Sequence, residues 1–76
     1  MKNTIPKEIL DTLQKAAERF ALVMYLNDKE SYTKVRAPYE AAMIKAQRYG
    51  MTTSERTKFV DKAARKAIKE YQEMIA

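Results

Sequence analysis

The sequence predicts an all-α fold: a small three-helix bundle, or a helical hairpin with a long C-terminal helix, that associates with itself. Three observations carry this. The 76 residues hold one glycine and two prolines among many Ala, Lys, Glu, Gln and Met, residues that cost little in a helix. Apolar side chains recur at spacings of three and four residues, the period of one helix face. No stretch alternates apolar and polar residues at period two for long enough to make a strand. At this length the chain is a single domain, residues 1–76, whose core is small for its surface. Chains of this size commonly need a staple, a metal or a partner subunit.

The first helix is expected over about residues 5–26. Thr4 offers a hydroxyl cap, Pro6 is tolerated in a first turn, and Glu8 and Asp11 suit the positive end of the helix dipole. Ile9, Leu10, Leu13, Ala17, Phe20 and Met24 form one stripe. The pattern then changes. From Phe20 to Leu26 the run FALVMYL is apolar all the way round, more than one neighbouring helix needs. Asn27 and Asp28 close it with a left-handed stop or a new cap.

The middle of the chain carries two conflicting signals. Tyr32, Val35, Tyr39, Ala42, Ala46 and Tyr49 step by three and four without a break, which argues for one helix from Lys29, with Asn27 and Glu30 as a capping pair. Pro38 removes a backbone donor and biases Ala37 away from helix. The preferred expectation is a main helix over about 38–49 with a helical lead-in from 29. The third helix, about 52–75, opens on Thr52 and Glu55 as a capping box. Val60, Ala63, Ala67, Tyr71 and Met74 make its seam, widened by Phe59, Ala64, Ile68 and Ile75. Alanine-rich seams let helices approach closely but bury little area.

The composition weighs against catalysis. There is no cysteine and no histidine, so the usual soft metal ligands and the general base that titrates near neutrality are both missing. One glycine cannot build a phosphate loop. The pairs Asp61 with Arg65, Lys66 with Glu70 and Lys69 with Glu73 read as surface ion pairs. No enzyme activity, cofactor or metal is expected. Lys2 is followed by polar residues rather than an apolar leader, and Phe20 to Leu26 is the longest apolar run, far short of the ~20 residues that span a bilayer. A cytoplasmic protein without membrane contact is expected.

The stretch from Ala46 to Arg56, AQRYGMTTSER, resembles the turn of a DNA-reading helix-turn-helix. Ala46 is the small residue four before Gly50, Tyr49 and Met51 flank the glycine, and Phe59 fills a buried position nine residues on. At Arg56 that motif needs an inward aliphatic, and a charge buried there would be costly. The preferred reading is an αα-hairpin turn with a glycine stop and a threonine cap.

Charge gives the functional expectation. Residues 1–30 are neutral, and the net +5 lies in residues 31–76. Lys58, Lys62, Arg65, Lys66 and Lys69 fall on one side of the third helix, and Lys45, Arg48 and Arg56 extend the patch around the turn. These cations could meet phosphates without any motif, so a small basic protein that docks on nucleic acid, or on the nucleic-acid path of a nucleoprotein complex, is the first reading. An ordinary solvated face accounts for the same residues. The alternative is a stoichiometric protein-binding inhibitor or adaptor that uses Leu22, Val23, Tyr25 and Leu26, which either lie in the core or form an interface, with a homodimer as one outcome. By analogy of class alone, small helical cysteine-free chains of this sort are common among phage and mobile-element products that disable host machines, including anti-CRISPR proteins.

Overall fold

The computed structural model describes residues 5–75. They form three helices: α1, Lys7–Tyr25; α2, Lys29–Arg48; and α3, Thr53–Ile75. The bundle is 45 × 25 × 20 Å. The expected Thr4 cap lies outside the described residues.

α1 is the central helix. It packs on both α2 and α3, while those two barely touch each other. This is why its sequence is apolar on more than one side. Ile9, Leu13 and Ala17 are buried along its length, and Leu13 is 0% exposed. Ala42 and Ala46 of α2 and Ala63 and Ala67 of α3 come in from either side. Among the described residues, five of the eight buried apolar ones are alanines. Helix approach is therefore close and the core is thin.

The two turns use one device. After α1, Asn27 takes a left-handed conformation with φ 55°. The Asp28 N–H reaches back to the Val23 carbonyl at 3.0 Å, and the Asn27 N–H to Met24 at 3.2 Å. After α2, Gly50 does the same with φ 101°. There the Met51 N–H meets the Ala46 carbonyl and the Gly50 N–H the Gln47 carbonyl, both at 3.0 Å. These are the paired bonds of a Schellman stop, which satisfy carbonyls that a helix end leaves bare. A new cap follows at once in each case. The Asp28 carboxylate accepts from the Ser31 N–H at 3.1 Å. Thr52 Oγ1 accepts from the Glu55 N–H at 3.1 Å, and the Glu55 carboxylate accepts from the Thr52 N–H at 2.9 Å, a complete capping box.

Two expectations are corrected. The cap of α2 is Asp28 with Ser31, because Asn27 is already committed to the left-handed stop. α2 also does not begin at Pro38. It runs unbroken from Lys29, with Pro38 inside it. An internal proline costs about 3 kcal/mol in a helix. Pro38 is exposed, so the Lys34 carbonyl deprived of its donor sits where water can serve it. On either side, Tyr32 and Tyr39 pack on Phe20 and Ala42 joins the cluster around Leu13, contacts that offset the loss.

Candidate functional site

Two broad faces follow from the central position of α1. On one, the gap between α2 and α3 is an open groove. Its floor is Ala17, Phe20, Ala21, Met24 and Tyr25, and its walls are Tyr39 from α2 and Val60, Ala64 and Ile68 from α3. Phe20 stacks on Tyr39 with ring centroids 4.4 Å apart and planes at 5°, and Tyr32 leans on Phe20 at 5.7 Å. Burial pushes the Tyr39 hydroxyl above its ordinary value of 10, since the neutral form is favoured away from water.

The rims of this groove are charged in pairs. Arg36 meets Glu40 at 2.8 Å on α2, and Arg65 meets Asp61 at 3.1 Å on α3. By helical spacing Arg36 and Glu40 stand one turn from Tyr39 and Met43, and Asp61 and Arg65 one turn from Ala64 and Ile68. The four charges cancel. Lys58, Lys62 and Lys69 stand within one turn of Asp61 or Arg65 on α3.

On the opposite side lies the cationic back. Lys62 and Lys66 flank a cleft with Gln14 of α1 and Phe59 and Ala63 of α3. Lys66 reaches Glu18 at 3.9 Å. It pairs across to α1, rather than with Glu70 as its spacing suggested. Lys58, Lys62 and Lys69 are exposed, and no ion pair holds them among the described residues. Arg19 lies at the centre of this face, lining both the cleft towards Pro38 and the cleft towards Ala67 and Glu70. Lys15 lines the first of these. Neither Arg19 nor Lys15 is among the anion-binding residues expected from the sequence. The signal was present, because the two are four residues apart on the side of α1 away from Leu13 and Ala17. The neutral sum over residues 1–30 concealed it.

The other expected anion-binding residues divide. Lys45 and Arg48 are exposed in the last turn of α2. Arg56 is half-buried and folds back on the turn. Its guanidinium donates to the Met51 carbonyl and, at 3.1 Å, to Thr53 Oγ1. Arg56 is thereby a brace for the turn. The charge at the position where a helix-turn-helix needs an aliphatic finds its partners in the turn's own backbone and cap. Met51, beside it, is buried in the cluster of Ile9, Leu13, Ala42 and Ala46.

No protein-family model, curated protein or solved structure matches this chain. The site must be read from its own chemistry. Among the described residues there is no cluster of metal-ligating side chains and no helix long and apolar enough to cross a membrane.

The four residues expected to form a protein interface do not share one face. Leu22 is half-buried against Ala67, Tyr71 and Met74 of α3. Val23 turns towards Tyr32 and the first turn of α2. Tyr25 packs edge-on against Tyr71 at 6.1 Å and accepts a hydrogen bond from Gln72 at 3.1 Å. Leu26 is exposed. Around it, Met24, Tyr25, Met74 and Ile75 make the end of the bundle apolar, with Met74 75% and Ile75 63% exposed.

Proposed function

We propose that this chain is a non-enzymatic binding protein that docks on the phosphate backbone of a nucleic acid through its cationic back. What supports the reading is the cluster of exposed cations along α3, where Lys58, Lys62 and Lys69 are held by no ion pair among the described residues. Lys66 and Arg65 hold weak exposed pairs that a phosphate can displace. Lysines act as point charges rather than planar forks, and α3 lies along α1 rather than standing out as a reading head. The binding mode is therefore backbone contact without base reading.

The test is binding to random-sequence duplex and single-stranded DNA at a series of salt concentrations. With a handful of phosphate contacts, log K falls against log salt with a slope of roughly −3 to −5. The variant Lys58→Glu/Lys62→Glu/Lys69→Glu loses binding while keeping its helical circular dichroism. Absence of binding at low salt, or binding that survives this charge reversal, overturns the reading.

A second reading, a stoichiometric inhibitor or adaptor that binds protein, draws on the apolar end at Met24, Tyr25, Leu26, Met74 and Ile75. It requires a Leu26→Glu variant to lose partner capture while retaining DNA binding.

A further inference from the structure

We infer that the cleft between α1 and α2 at Pro38 is a phosphate seat, and that a nucleic-acid backbone crosses α1 to fill it. This rests on the nucleic-acid reading above and carries its contact from α3 onto the central helix. The cleft holds about 530 Å³ and is lined by Thr12, Lys15, Ala16, Glu18, Arg19 and Pro38. Thr12, Lys15 and Arg19 stand at offsets of three and seven, so one side of α1 presents all three. Ala16 and Pro38 are compact side chains that leave the space between the two helices open.

The donors here are free. Among the described residues, Lys15 and Arg19 are exposed and in no ion pair, and the exposed Thr12 hydroxyl makes no hydrogen bond. Glu18, the one acid among the lining residues, is engaged on the α3 side. One of its carboxylate oxygens accepts from Gln14 Nε2 at 3.1 Å and meets Lys66 at 3.9 Å. Asp11, one turn before Lys15, does not line the cleft. On α2, Lys34 and Lys45 stand one and two turns from Pro38 on the same side of the helix and add positive potential. A guanidinium grips two phosphate oxygens at once, and an ammonium adds a point charge beside it.

The surroundings favour a polyanion over a lone anion. A second cleft, lined by Gln14, Phe59, Lys62, Ala63 and Lys66, lies on the α3 flank of α1. Packed helices lie roughly 8–10 Å apart. DNA carries a phosphate about every 3.4 Å of rise on each strand, so one strand reaches both clefts. A free phosphate fills only one.

The test sets Lys15→Gln/Arg19→Gln against Lys7→Gln/Lys29→Gln, which removes the same charge from lysines that do not line the cleft. Helical circular dichroism checks that both variants fold. DNA affinity is compared at about 0.1 M salt, where exposed charges more than about 10 Å apart are screened. The cleft variant is expected to bind about tenfold more weakly than the wild type, with a salt slope shallower by about 1–2. The control is expected to stay within about twofold of the wild type. Equal binding by the two variants overturns the seat and leaves the α3 contact standing, because that contact is read from Lys58, Lys62 and Lys69. Where DNA binds, this comparison decides. If the wild type binds no DNA, the nucleic-acid reading falls, and titration with inorganic phosphate followed by amide NMR decides the seat. Movement of the Thr12, Lys15 and Arg19 signals in the wild type, absent from the cleft variant, supports it. No movement overturns it.

Discussion

The two ends of the bundle are built from the same three helices and hold unlike interiors. At the end where α2 turns into α3, Ile9, Leu13, Ala42, Ala46 and Met51 form a closed aliphatic cluster. At the other end the large rings of Phe20, Tyr32, Tyr39 and Tyr71 are only half-buried, and Tyr25 is 47% exposed. Size explains the difference. Alanines on α2 let that helix close on Leu13, while on the same seam Tyr32 and Tyr39 meet Phe20 with bulky rings. The closed end gives stability, and the open end and groove leave apolar side chains exposed.

The largest test of this contrast is Leu13→Ala. Leu13 is completely buried, and its truncation is expected to cost about 3 kcal/mol in urea unfolding. Phe20→Ala, although it removes a larger side chain, is expected to cost about 1–2 kcal/mol, because its ring is partly wet already. Equal losses would break the contrast between the ends.

The turns give the next test. Gly50→Ala forces a Cβ into the left-handed region and is expected to cost about 1–2 kcal/mol. Asn27→Gly at the open end is expected to change stability by less than about 0.5 kcal/mol, since asparagine already tolerates that conformation. Thermal melts of both variants measure the difference.

The smallest effect concerns pH. The Ser31 hydrogen bonds hold the Asp28 carboxyl below its ordinary value of 3.8. A depressed acid stabilises the fold above its unfolded value and loses that contribution as pH falls through the folded one. The gap between wild type and Asp28→Asn should therefore be constant near neutrality and close below pH 3.8. A gap that persists at lower pH would remove the charge-assisted cap from the account.

Much of the scaffold was legible because it is local. The αL stops at Asn27 and Gly50, the Thr52–Glu55 box and the Asp61–Arg65 pair depend on residues a few positions apart, so spacing alone reveals them. Pro38 was misread for the converse reason. Whether a helix tolerates an internal proline is decided by what packs beside it, and α1 lies against α2 on both sides of the break. Arg56 was identified as a misfit for a DNA-reading turn, but its carbonyl partner at Met51 depends on the turn's conformation. Arg19 and Lys15 share one side of α1 on a helical wheel, while the charge summed along residues 1–30 is zero and hides them.

By itself the sequence determined that this protein is helical, where two of its helices stop, and that its surplus charge is carried by the second half. Hydrogen-bond capping and apolar period act over one turn and need no tertiary partner. Only the tertiary structure decided that α1 is the central helix. That one placement splits the run FALVMYL among three directions and opens the groove between α2 and α3. Which side of a helix meets a neighbour depends on where the neighbours pack, and a linear pattern of residues does not contain that.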